Sequence, residues 1–357
     1  MTILQLEGFE HLDTGITDPE AEDYISLWFL GKSLGNATPI VASRTGFLGL
    51  QFNLGNFITT RKLQQADGNT TLILGFYYKT PSAFSNGTDF FRVWCGPTEQ
   101  CQVEWNGGGT LDFKRSSTIL GTSTYTFATS NEYYIEFKVV IDDTVGSLEM
   151  KVADITAGGD DTETATEWTV SGVDNRNSSS SLETAWDQVT IYAANTNTVI
   201  DDIYIANGAG TYNTDFLGNI FVESITPTGA GNNTEMTPST GSNWQNVDDG
   251  TPHDGDTTYN TADADLETDL YECSALSETG DVFAVQVQAI SRVTSGNPRV
   301  MRLPVRSSTT TGEGSDIVQG NDAYTGKTRI VEENPATTSL WTNGEVNTIE
   351  IGVKRQS

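Results

Sequence analysis

The run EYYIEFKVVI, residues 132–141, alternates large apolar with polar side chains at a period of two, and no other feature limits the possible folds as strongly. A strand sends successive side chains to opposite faces, whereas a helix returns to the same face every 3.6 residues. Tyr133, Ile135, Phe137, Val139 and Ile141 therefore share a face expected in a core. Glu132, Glu136 and Lys138 share the other, expected in water. GSLEMKVAD, residues 146–154, repeats the pattern with Leu148, Met150 and Val152 inward, and the intervening DDTVG reads as a hairpin turn. Apolar residues at i, i+3, i+4 and i+7 never persist for three helical turns, so the expected fold class is all-β.

Further strand-like runs follow at turn-separated intervals: TLILGFYYK (71–79), FFRVWC (90–95), CQVEW (101–105), TLDFKR (110–115), QVTIYAAN (188–195) and VIDDIYIAN (199–207). Such spacing predicts a sandwich or jelly roll. Between residues 154 and 186 the chain turns polar and rich in Gly, Ser and Thr, which predicts surface loops around one strand near Trp168. After residue 216, alternation returns in FLGNIFVESITP, LYECSAL, VFAVQVQAISRV, RVMRLPVR, KTRIVEE and VNTIEIGVKR, interrupted by the weakly patterned 227–269. A chain of 357 residues exceeds what one hydrophobic core usually holds. Two domains are therefore expected, a jelly roll over 1–214 and a smaller β-sandwich over 215–357.

Lys and Arg number 19 against 48 Asp and Glu, a formal net charge of -29. That excess repels nucleic-acid phosphates and anionic lipid headgroups, so neither direct nucleic-acid binding nor membrane insertion is expected. No run of about 20 apolar residues exists to span a bilayer. The N-terminal MTILQLEGFEHLDTG has neither the basic nor the apolar stretch of a secretory signal, which predicts a cytoplasmic site of synthesis. His11 and His253 are the only histidines and there are three cysteines, too few for zinc chemistry. Cys95 and Cys101 flank the turn-like GPTEQ, where a hairpin would bring them to disulfide distance, while a cytoplasmic birthplace favours free thiols; both readings stay open.

Glu267, Asp269 and Glu272 in DLETDLYE match the ExDxxE spacing of laminarinase-like glycoside hydrolases, where paired carboxylates act as nucleophile and acid. Acids crowd the preceding loop, however, and a solvated acidic strand edge is the expectation here, so no catalytic residue is assigned. No nucleophile elbow and no phosphate-cradling glycine loop stands between a strand and a helix. Oxygen ligands suited to calcium gather in GGDDTET (158–164), NVDDGTPHDGD (246–256) and IDD (200–202), none with EF-hand spacing. Asp201 and Asp202 are the candidate metal ligands, and calcium is the one cofactor considered. Arg292, Arg302 and Arg306 hold like-parity strand positions, where they would meet carboxylates either of a neighbouring subunit or of their own chain.

Several blocks resemble a family of structural proteins encoded in tailed-bacteriophage genomes: GFEH (8–11), TGFLGLQFNLG (45–55), EYYIEFKVVIDDTVGSLEMKV (132–152), VSGVDNRN (170–177) and, above all, DDIYIANGAGTYNTDFLGNIFVESITPTGAGN (201–232). The resemblance continues through VFAVQVQAISR to NTIEIGVKR. It implies a concanavalin A-like, LamG-type jelly roll whose last strand has the form (I/V)DD(I/V)YI, followed by the exit linker IANGAGTYNTD. It also implies a non-enzymatic virion component of tail or capsid, assembling with other virion proteins as a homo-oligomer. The alternative is an adhesin whose Trp28, Trp94, Trp105 or Trp168 stacks on a host surface glycan. A polysaccharide-cleaving enzyme through Glu267, Asp269 and Glu272 is the third reading.

Overall fold

The hairpin expected from the two alternating runs is present: strands Glu132–Val140 and Gly146–Asp154 pair antiparallel, with Phe137 opposite Met150 and Val139 opposite Leu148. The computed structural model describes residues 2–12, 23, 25–33, 40–44, 48–63, 69–156, 165–177, 185–249, 253–294, 296–320 and 322–356. The protein is all-β, and the chain divides into two compact units, Met1–Val222 and Glu223–Ser357.

In the first unit, one sheet runs in the order Ala165–Val173, Gly146–Asp154, Glu132–Val140, Thr71–Lys79, Thr198–Ala206, Leu48–Phe52 and Ile40–Ala42, with Ile3–Glu7 also paired to Thr198–Ala206. A second sheet runs Thr118–Thr122, Thr110–Arg115, Thr98–Asn106, Thr88–Cys95, Gln188–Tyr192, Phe57–Thr60 and Phe29–Ser33. The two pack face to face through aromatic rings: Phe76 on Phe90 at 5.6 Å between centroids, Phe91 on Phe137 at 4.8 Å and Tyr78 stacked on Trp105 at 5.9 Å. A register shift between Asp89 and Phe91 lets the consecutive Phe90 and Phe91 both be fully buried, which strict alternation forbids.

The second unit is built on the sheet order Pro227–Thr234, Thr268–Cys273, Glu350–Arg355, Arg299–Arg302 and Ile317–Gln319, plus a separate ribbon of Val285–Ser291 and Thr325–Val331. Val287 and Val331 of the ribbon join Met301, Leu303, Val305 and Trp341 in one core. RVMRLPVR breaks into Arg299–Arg302 and Val305–Ser307 because Pro304 has no N–H for a ladder.

Two expectations need correction. FLGNIFVESITP forms no strand and does not open the second unit, since residues up to Val222 belong to the first. The outer face of Glu132–Val140 is not uniformly wet either: Glu136 and Tyr134 are both 0% exposed. Glu136 is covered because the Leu217 and Gly218 N–H groups donate to it, and Tyr134 donates its hydroxyl to the Asp202 carbonyl.

Candidate functional site

Strand alternation would send the adjacent Asp201 and Asp202 to opposite faces. The ladder between Thr198–Ala206 and Thr71–Lys79 slips between Asp201 and Tyr204, and Asp202 takes the left-handed backbone conformation with φ 48°. This bulge turns both carboxylates toward one place. At the other end of the site Phe9 is also left-handed, φ 60°, and its N–H donates to Glu7 Oε1 at 3.1 Å. That turn brings in Glu10. Ligand oxygens of Glu10, Asp201 and Asp202 lie within 4.8 Å of one another, the one such three-carboxylate group among the described residues.

The three acids are unequally satisfied. Asp201 accepts from the Asp202 N–H at 2.8 Å and from the Ser43 hydroxyl. Asp202 accepts from the Val222 N–H at 2.7 Å and from Arg44 Nη1 at 2.8 Å. Both Glu10 carboxylate oxygens are closed to solvent and have no hydrogen-bond partner. Burial, then the charges of Asp201 and Asp202, push the Glu10 carboxyl up to about 11. Burial and Asp202 raise Asp201, and burial raises Asp202 against the opposing pull of Arg44.

Arg44 is the cation of this group, 8% exposed and shared among four partners. Besides pairing with Asp202, it donates to the Ile220 carbonyl at 2.7 Å and to Asn219 Oδ1 at 2.8 Å, and its guanidinium lies 3.7 Å from the Phe221 ring centroid. Farther along the same segment, the N–H groups of Leu217 and Gly218 each donate to Glu136 Oε1 at 2.9 Å, beside the Tyr204 hydroxyl. Residues 217–222 are thus a strap, and acids of the first sheet are what hold it. Asp201 and Asp202 were legible as candidates; Glu10 and Arg44 were not. The sole sequence signal for Glu10 was its place in GFEH, and Arg44 carried none.

The donor set of three carboxylates suits a hard cation such as calcium, and Glu10, Asp201 and Asp202 are the residues that would hold it. Of the other calcium candidates, residues 158–164 lie outside the described residues, as do 250–252 within 246–256. Asp254 there serves Thr258 with both carboxylate oxygens, and Asp256 pairs with Arg292.

Glu267, Asp269 and Glu272 do not converge. Glu267 accepts from the Asp263 and Ala264 N–H groups at 2.6 and 3.1 Å, while Glu272 is exposed. Asp269 corrects the expectation of a solvated edge: it is 0% exposed and takes the Glu235 and Met236 N–H groups at 2.7 and 2.9 Å, Asn243 Nδ2 at 2.6 Å and the Tyr271 hydroxyl at 3.0 Å. Arg292, Arg302 and Arg306 pair within the chain, with Asp256, with Glu313 and Asp316, and with Glu350. Cys95 and Cys101 are free thiols, because the ladder sets Cys95 opposite Thr98 and Cys101 opposite Val93. Trp28, Trp105 and Trp168 are buried at 6%, 0% and 6% exposure; Trp94 alone of the four is half-buried.

No family model matches the sequence, and no curated protein matches it. Among solved structures, an alginate lyase from Aplysia kurodai is similar over 46% of this chain and 85% of its own, at 12% identity and a TM-score of 0.36. Domain 4 of the arabinanase AbnA from Geobacillus stearothermophilus is similar over 58% of this chain and 94% of that one, at 12% identity and a TM-score of 0.33. The CBM2 module of the evolved Dit protein of Lactobacillus casei BL23 phage J-1 is similar over 59% and 98%, at 8% identity and a TM-score of 0.33. Scores this low establish neither a shared topology nor a shared activity.

Proposed function

We propose that this chain is a non-enzymatic structural component of a tailed-phage virion, displayed on tail or capsid and assembling as a homo-oligomer through β-rich contacts. The observation that carries the reading is where the acids go. Those a polysaccharide-cleaving reading requires, Glu267 and Asp269, hold backbone N–H groups of their own unit, and Glu272 stands apart. A glycosidase needs two carboxyl groups about 5 to 9.5 Å apart across a substrate, with oxygens free to react; an oxygen already bound to two backbone donors is a fastener. The resemblance of residues 201–232 to phage structural proteins supports the same role. Mass spectrometry and cryo-electron microscopy of purified particles test it: the chain is expected as an ordered, symmetrically repeated protein, and its absence from intact particles rejects the proposal.

A second reading, a host-glycan adhesin, draws on the outer face of the second sheet. There Trp94 donates its indole N–H to Thr190 at 3.1 Å, Tyr192 packs on Phe57 at 5.6 Å, and the Arg92 guanidinium lies 5.6 Å from the Tyr192 ring. Half-buried aromatics beside a charged group are the chemistry that stacks on a sugar ring. On a glycan array, binding that Trp94→Ala removes supports this reading; a silent array removes it.

A further inference from the structure

We propose that the outer face of the second sheet binds glycans free of acid groups, with a sugar ring stacked on Trp94 and adjacent hydroxyls donating to Asp89 and Glu99. The inference rests on the adhesin reading and names its ligand class.

Two bulges build the site. Strict alternation would send Asp89 to the face opposite Arg92, three residues on, and Glu99 to the face opposite Gln102, the ladder partner of Arg92. The register shifts once between Asp89 and Phe91 and once between Val93 and Trp94, which makes Phe90 and Gln100 the extra residues. Each extra residue reverses the parity beyond it. Both acids therefore arrive on the Arg92 face, with Asp89 Oδ2 2.7 Å from Nη2 and Glu99 Oε2 2.8 Å from Nη1. The second shift also sets Glu99 directly opposite Trp94, whose other ladder partner is Gln188. Phe91, Val93 and Val103, at the alternate positions, are 0% exposed in the core, so the Arg92 row is the outer side.

The groups gathered there offer a flat ring and acceptors. Trp94 is half-buried, and its indole N–H on Thr190 fixes the ring. Arg92 takes one oxygen of each acid; the others, Asp89 Oδ1 and Glu99 Oε1, have no hydrogen-bond partner among the described residues. The two side chains keep 19% and 16% of their surface in solvent. Burial raises the Glu99 carboxyl above its ordinary value even with Arg92 beside it, so a hydroxyl donating to it restores solvation that it lacks. A planar guanidinium holds the two carboxylates side by side, the arrangement that neighbouring sugar hydroxyls match. A pyranose supplies both halves of the fit, an apolar C–H face and a rim of donors.

Charge selects among glycans. Arg92 and Lys114 stand against Asp89, Glu99, Glu104 and Asp112 on this face, two cations against four acids. Both cations are already engaged, Arg92 as above and Lys114 with Glu104 at 2.7 Å. An acidic sugar would bring its own carboxylate against a surplus of two negative charges, whereas hydroxyls meet acceptors.

The test is an array of neutral hexose oligosaccharides beside sialylated and uronic-acid ones, probed with the full chain. Binding is expected to the neutral members, and Trp94→Ala is expected to remove it. The double variant Asp89→Asn, Glu99→Gln keeps both side-chain shapes; it is expected to weaken the neutral ligand about tenfold and to admit acidic glycans, because Arg92 loses both counter-ions. Acidic glycans bound by wild type as well as neutral ones, or neutral binding that the double variant leaves unchanged, overturn the inference and leave the adhesin reading standing. A silent array removes both. Should Trp94→Ala fail to fold, competition on the wild-type chain decides: excess uronic-acid oligosaccharide is expected to leave the neutral ligand bound, and displacement overturns the proposal.

Discussion

Two buried acids, one in each unit, have opposite surroundings. Asp269 is met by four donors, two of them backbone N–H groups. Asp202 is crowded by Asp201 and Glu10 and shares a single arginine. Burial is complete at both. A carboxylate ringed by donors is a structural pin, because the donors replace water. A carboxylate among like charges has less solvation than its charge demands, and that deficit is what a ligand can fill. Burial alone does not distinguish fastener from site; the ratio of donors to charges does.

The two acids should differ most when Arg44 is replaced. Arg44→Met leaves Asp202 buried without its counter-ion and is expected to destabilise the first unit by about 3 to 5 kcal/mol, read from urea denaturation; a loss under 1 kcal/mol would mean that the acids there do not depend on it. Next, Asp269→Ala strands four donors and is expected to cost the second unit about 2 to 4 kcal/mol, with the first unit's transition unmoved.

Spread over several pH units rather than read at one, and sharper in sign, is the pH dependence. The Glu10 carboxyl lies at about 11 in the folded chain against about 4.3 unfolded, so folding takes up a proton between those limits. The stability it contributes is complete below the unfolded value and is lost as pH rises through the folded one, with a slope of at most about 1.4 kcal/mol per pH unit. Denaturation of chelator-treated protein from pH 5 to pH 9 should show stability falling, and Glu10→Gln should flatten the fall; a rise with pH contradicts the assignment. Smallest of all, Glu267→Gln keeps an acceptor for the Asp263 and Ala264 N–H groups and is expected to change stability by less than about 0.5 kcal/mol.

Most strands were legible because their signal is local. TLILGFYYK, TLDFKR and GSLEMKVAD form strands at the boundaries expected from the sequence, the first as a continuous apolar run and the other two by alternation. Legibility fails where a distant segment changes what a position touches. Glu136 has the parity of a wet residue and is buried, because Leu217 and Gly218 lie on it from about 80 residues away in the chain. FLGNIFVESITP has the apolar content of a strand, yet its Ile220, Phe221 and Val222 are used one by one, by Arg44 and Asp202. Asp201 and Asp202 were visible as a pair of oxygen donors, but period two assigns them opposite faces, and only the bulge reunites them.

The amino-acid pattern by itself determined that this chain folds as layered β-sheet, since alternation is written residue by residue and holds whatever the partners are. It also determined an acidic chain too poor in histidine and cysteine for zinc. Tertiary structure alone decided which of the 48 acids are pins and which are crowded. That outcome rests on how many donors and counter-charges arrive from elsewhere in the chain, and electrostatic energy at a buried site is set by those neighbours in space.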